Sequence, residues 1–124
     1  MEKRKTKILI IDDEADFCYF IKQNLEAAGA FDVGTCSESS QGLENARQLR
    51  PDLILLDIMM PIKDGFTVLR ELKADELTWT IPVIMLTVSI GQPSMPEFIE
   101  FGAKDYLFKM CDTPTLLQCI KRYI

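Results

Sequence analysis

The sequence contains no histidine, so no side chain can carry a phosphoryl group on imidazole or act as an imidazole base near neutral pH. Its four cysteines, Cys18, Cys36, Cys111 and Cys119, form no CxxC pair and lie in or beside apolar segments. Without the histidines that often complete a zinc site, they read as buried free thiols. No apolar run approaches the length of a membrane span. The charged N-terminus is followed by only four consecutive apolar residues, Ile8 to Ile11, too few for a signal peptide. The cytoplasm is the expected compartment. Basic charge is scarce as well: 14 Lys and Arg stand against 19 Asp and Glu, a formal charge of −5. A nucleic-acid footprint needs clustered Lys and Arg. The basic lead-in, Lys3, Arg4, Lys5 and Lys7, reads as a solvated tail before the first strand.

What is present is a chain of 124 residues, 48% hydrophobic and 27% charged, which suffices for one domain to bury a core unaided. With no internal repeat, low-complexity tract or linker, a single domain over residues 1–124 is expected, with no output domain in the chain. The pivotal stretch is PDLILLDIMMPIKDG, Pro51 to Gly65. Its four apolar residues, Leu53 to Leu56, show no polar alternation, the pattern of a strand buried on both faces. The run stops at Asp57, and Pro61, Asp64 and Gly65 mark a loop into the next helix. A carboxylate therefore sits where a buried parallel strand emerges, the edge at which open α/β sheets keep their chemistry.

The rest of the chain alternates strand and helix. Ile8 to Ile11 is a first strand ending in Asp12 and Asp13. Phe17, Phe20, Ile21, Leu25 and Ala28 then form one helical face, closed by Gly29. Phe31 to Cys36 is a weaker strand. Ser39 or Ser40 can cap a second helix, with Leu43, Ala46 and Leu49 recurring until Pro51. Phe66, Leu69 and Leu72 mark a third helix, and Trp79 in the following loop reads as a lid over the core edge. Val83 to Leu86 is a strand ending at Thr87. The two prolines of Gly91 to Pro96 predict a long loop, with only a short helix near Pro96 to Phe101. Tyr106 to Phe108 is the last strand, ending at Lys109. Thr113 caps a final helix with Pro114 in its first turn and Leu116, Leu117, Ile120 and Ile124 as its buried stripe. Five strands alternating with five helices imply a parallel sheet covered on both faces.

Four apolar runs thus end in polar residues that share one sheet edge: Asp12 with Asp13, Asp57, Thr87 and Lys109. Three carboxylates packed there raise one another's pKa unless a cation neutralises them. Lys109 and one divalent ion would balance their charge. All-oxygen ligands favour Mg²⁺, or Mn²⁺ in its place. Lys109 and Thr87 complement phosphoryl oxygens, as a point charge and a hydroxyl donor. With no base to activate serine or cysteine, Asp57 is the credible nucleophile, and formation of an aspartyl phosphate follows chemically.

IIDDE at 10–14, DIMMPIKDG at 57–65, PVIMLT at 82–87 and GAKDYLFK at 102–109 together resemble bacterial response-regulator receiver domains, over nearly the whole chain. The resemblance, to the chemotaxis-type stand-alone receiver fold, implies a flavodoxin-like (βα)5 domain with strand order 2-1-3-4-5. It implies a phosphoacceptor role for Asp57, metal binding by Asp12, Asp13, Asp57 and the backbone carbonyl of Met59, and phosphoryl contacts from Thr87 and Lys109. It also implies a sensor histidine kinase or phosphotransfer protein as donor, an unknown protein downstream, and Tyr106 as a switch aromatic whose rotation is coupled to Thr87. Such a domain is not a conventional enzyme, but catalyses its own phosphorylation and dephosphorylation.

Two departures carry expectations. Met110 stands where the family usually has a cis proline after the lysine, so a trans Lys109–Met110 bond or a strained loop is predicted. Val88 stands where a small residue usually follows the switch threonine, so slower phosphoryl loss is predicted. The prolines at 93 and 96 leave the usual fourth helix in question. The alternative from another class is a pseudo-receiver, a binding module that acts without phosphorylation. A flavodoxin would need a phosphate-cradling loop where IDDEAD stands, and an aspartate-nucleophile phosphatase would need a second Asp where Met59 stands.

Overall fold

A computed structural model describes residues 4–88 and 95–124. The strands are β1 (Thr6–Ile11), β2 (Phe31–Cys36), β3 (Leu53–Asp57), β4 (Val83–Thr87) and β5 (Asp105–Phe108). They form one parallel sheet in the order β2-β1-β3-β4-β5, the flavodoxin-like topology expected. The helices are α1 (Ala15–Ala27), α2 (Gly42–Leu49), α3 (Gly65–Ala74), α4 (Met95–Glu100) and α5 (Thr113–Lys121), with a 3-10 turn over Ser39–Gln41 leading into α2. None among the described residues is long and apolar enough to cross a membrane.

The unbroken apolar runs have a simple cause. Successive side chains of a strand point to opposite faces, and here both faces are covered. Ile8, Ile10, Leu53, Leu55, Ile84 and Leu86 pack against Cys18, Ile21 and Leu25 of α1 and Leu116, Cys119 and Ile120 of α5. Leu9, Ile11, Ile54, Leu56, Val83 and Met85 pack on the other side against Ala46, Val68, Leu69, Leu72 and Phe98 from α2, α3 and α4. β2 is an edge strand; Phe31 and Val33 face one core and Cys36 the other, while Asp32 and Thr35 are exposed.

Several local expectations need correction. The buried stripe of α1 runs through Cys18, Ile21 and Leu25; Phe20 is 62% exposed because Cys18 serves as the apolar residue of that turn. Ala28 is exposed beyond the last turn, and Gly29 follows with φ +88°, the left-handed residue that stops the helix. Neither Ser39 nor Ser40 caps α2, which has no side-chain cap. α5 is capped by Asp112, whose carboxylate accepts the Thr115 N–H at 2.9 Å, while Thr113 is already helical. Cys119 takes a place in its buried stripe, and Ile124 is 52% exposed beyond its end.

Trp79 is not a lid. The buried Thr78 hydroxyl donates to the Leu72 carbonyl at 2.6 Å, which turns Thr78 and Ile81 inward and leaves Trp79 58% exposed. α4 is the short helix expected but begins at Met95, so the last two residues of the loop predicted over Gly91 to Pro96 are helical; residues 91–94 lie outside the described residues. The Lys109–Met110 bond is trans. All four cysteines are free, three buried and Cys111 half-buried.

Candidate functional site

The carboxyl edge of the sheet is held in place by ladder hydrogen bonds that continue one residue past the strands. The Asp12 N–H donates to the Cys36 carbonyl at 3.0 Å, Ile58 N–H to Leu86 at 3.1 Å and Lys109 N–H to Thr87 at 2.7 Å. Asp12, Asp57, Thr87 and Lys109 therefore leave the sheet side by side, and all four are buried. Asp13 is exposed at the rim. Gly65 shows how tightly α3 closes on this edge. A Cβ there would lie 2.2 Å from the Asp57 carbonyl, while the Gly65 N–H donates to the Ile58 carbonyl at 2.7 Å.

Lys109 is the hub. Its Nζ lies 2.8 Å from Asp12 Oδ2 and 3.8 Å from Asp57 Oδ1, and it makes a short ion pair with Glu14. It also stands 4.5 Å from the centre of the Phe17 ring, close enough for a cation–π contact. Burial alone would lower the pKa of this ammonium. Hydrogen bonds to Asp12 and Glu14 and the nearby carboxylate charge outweigh that and hold it at about 12. Asp57 moves the other way. Burial first, then the Asp12 charge, push its carboxyl up to about 7, against the pull of Lys109.

Asp12, Asp13 and Asp57 each offer a carboxylate oxygen within 4.8 Å of the other two. Opposite ligands of Mg²⁺ stand ~4.2 Å apart, so small side-chain adjustments bring this trio to one ion. The donor set also fits: oxygens only, with the buried Asp12 Oδ2 facing a single cation, the Lys109 ammonium at 2.8 Å. Asp12 Oδ1 is already fixed by the Glu14 N–H at 2.9 Å, which orients the carboxylate.

Beside the trio is a recess of about 100 Å³ lined by Asp57, Met59, Thr87, Val88, Lys109 and Glu14, among others. Val88 and Met59 are 59% and 69% exposed at its rim. Of the residues singled out from sequence, Asp12, Asp13, Asp57, Met59, Thr87 and Lys109 come together here. Tyr106 stands apart on β5, paired in register with Met85 while Thr87 pairs with Phe108, and is 42% exposed. Sequence reasoning missed Glu14 and Phe17 as neighbours of Lys109. The acidic run continuing from Asp13 into Glu14 was the available signal.

A parallel sheet in this order, with its acidic edge facing a buried lysine, defines a receiver of the chemotaxis-regulator kind. Comparison with known proteins agrees. The chain matches the response regulator receiver domain over residues 8–121. It is 43% identical over 116 residues to the DNA-binding dual master transcriptional regulator RpaA of Synechocystis, covering 93% of this chain and 47% of that protein. It superposes on chemotaxis protein CheY4 of Vibrio cholerae with a TM-score of 0.89 at 26% identity, over 98% of this chain and 100% of that one. It also superposes on the receiver domain of the Pseudomonas aeruginosa sensor histidine kinase PA1611, solved with a magnesium ion in its active site cleft. There the TM-score is 0.86 at 28% identity, over 97% and 98% of the two chains. The chain belongs to the response regulator receiver domain family of two-component systems. It spans about half the length of the curated relatives it matches.

Proposed function

We propose that this chain is a phosphorylation switch in which Asp57 accepts a phosphoryl group from a phosphohistidine of a sensor histidine kinase or phosphotransfer protein. The observation that carries the reading is a buried Asp57 carboxylate, 4% exposed, set between two further carboxylates and Lys109 at the mouth of a recess. An Asp57 oxygen attacks phosphorus, the P–N bond breaks, and the donor imidazole leaves with the bonding pair. The carboxyl must be ionised to attack, and with a pKa of about 7 it needs positive charge nearby. Asp12, Asp13, Asp57 and the Met59 carbonyl would hold Mg²⁺, or Mn²⁺ in its place, which would neutralise charge on the transferring phosphoryl oxygens.

Lys109 leaves its carboxylate partners to meet the new phosphoryl oxygens, and the Thr87 hydroxyl turns to donate to them. The exposed Tyr106 ring moves inward as Thr87 is drawn toward the phosphate, changing the surface offered to a downstream protein. Water later attacks phosphorus and restores Asp57. Val88 at the rim slows that attack by narrowing the approach. A cytoplasmic location accords with a phosphohistidine donor. The DNA binding named for relatives is a property of proteins about twice as long.

The test is intact mass after incubation with acetyl phosphate, with and without Mg²⁺, on the native chain and on Asp57→Asn. A metal-dependent gain of one phosphoryl group, absent from the variant, is expected. No gain in the folded native chain would favour a binding module that acts without phosphorylation.

A further inference from the structure

We infer that Ser39 is a positioning residue for the phosphoacceptor loop: its buried hydroxyl pins a strained turn after Asp57 and so sets where the Met59 carbonyl stands. The inference rests on the proposed metal-dependent reading of this site.

Ser39 lies in the 3-10 turn between β2 and α2, remote in sequence from the loop, and is 5% exposed. Its hydroxyl donates to the Pro61 carbonyl at 3.0 Å and accepts the Lys63 N–H at 3.3 Å. The same Lys63 N–H donates to the Pro61 carbonyl at 2.8 Å, closing a three-residue turn centred on Ile62. Ile62 has φ +71°. A β-branched side chain is rarely found there, because Cβ crowds the backbone carbonyl, and turns of this hand are strained. Packing does not hold it, since Ile62 is 94% exposed. A strained residue persists only where its surroundings over-determine it, and here the cross-element determinant is the Ser39 hydroxyl.

The loop is thus anchored twice. At its start, the Ile58 N–H and carbonyl are both engaged, by Leu86 and Gly65. At its far side, Pro61 is held by Ser39. Met59 lies between these anchors. Releasing the second lets Ile62 relax toward negative φ and carries the Pro61 and Met59 carbonyls with it. An aliphatic replacement of Ser39 can neither donate nor accept, whereas threonine can do both.

The test is the Mg²⁺ dissociation constant by titration calorimetry on four folded proteins: the native chain, Ser39→Ala, Ser39→Thr, and Ser39→Ala combined with Ile62→Gly. Thermal melts confirm that each is folded. Ser39→Ala is expected to bind Mg²⁺ about tenfold more weakly, the usual size of an effect transmitted through a ligand's support. Ser39→Thr should stay within about twofold of native. Glycine at 62 adopts positive φ without strain, so the double variant should recover most of the affinity. Native-like affinity in folded Ser39→Ala would overturn the inference. So would a loss that Ile62→Gly fails to restore, because the hydroxyl would then act by some route other than the strained turn. No Mg²⁺ uptake by the native chain would overturn the reading of the site itself, and this inference with it.

Discussion

Replacing Asp57 by asparagine should stabilise the metal-free fold, and by an amount that grows with pH. In the fold, burial and the Asp12 charge raise the Asp57 carboxyl from 3.8 to about 7. The sign follows from linkage. A group whose folded pKa is raised stabilises the fold fully below its unfolded pKa, and that contribution is lost as pH rises through the folded value. Each pH unit across the gap is worth about 1.4 kcal/mol, which sets a ceiling of roughly 4 kcal/mol by about pH 8. Water in the recess and movement of Lys109 reduce it, and ~2 kcal/mol between about pH 5 and pH 8 is the working figure. Asparagine has no such titration. Urea unfolding in a chelator at constant ionic strength measures the difference. The variant should gain on the native chain by ~2 kcal/mol over that interval. Mg²⁺ at about a hundred times its dissociation constant should return ~2.7 kcal/mol to the native chain and less to the variant. A stability gap that stays constant or narrows with rising pH would refute the argument that the buried carboxylate is strained in the absence of an ion.

Val88→Ala should shorten the phosphoryl lifetime several-fold by opening the recess rim, where Val88 is 59% exposed; mass spectrometry of the decaying phosphoprotein reads it, and an unchanged rate removes the idea. Ile62→Gly in the native background should raise unfolding stability by about 1 kcal/mol, since φ is +71° and the side chain is solvent-exposed. A loss of stability would mean that the isoleucine makes contacts in solution that its exposure denies. Gly65→Ala should cost at least ~3 kcal/mol, because a Cβ would stand 2.2 Å from the Asp57 carbonyl; a variant that unfolds at the native urea concentration would show that α3 can shift away freely.

The sheet and most of the site were legible in the sequence for one reason. Strands buried on both faces have no alternation to hide them, and a polar residue at the end of such a run must sit at the sheet edge. Asp12, Asp57 and Thr87 are found that way, whereas Lys109 follows β5, an edge strand that is only partly buried. Helix details were less legible, because apolar periodicity does not say which small residue joins the stripe. Cys18 and Cys119 take places that Phe20 and Ile124 were expected to fill. The capping of α5 went to Asp112 because a carboxylate one residue earlier reaches the Thr115 N–H. Glu14 has only the acidic run it continues, while Phe17 and Ser39 carry no local signature. Their contacts with Lys109 and Pro61 join residues 95, 92 and 22 apart in the chain, respectively, and only the folded topology brings them together.

The cost of this arrangement is concentrated where the chemistry would occur. A carboxyl lifted to about 7 by burial, an isoleucine at φ +71° and an ammonium shared among three carboxylates all lie on or beside the loop that follows β3. An apolar replacement of the charges would make a quieter sheet edge. The two electrostatic features share a property that the strained Ile62 does not: each would be relieved by added positive charge, or by a phosphoryl group that draws Lys109 away from its partners. On the proposed reading, the same charge changes that would relieve the site are the ones that would switch it, and a bistable element near Thr87 and β5 would need only a small bias.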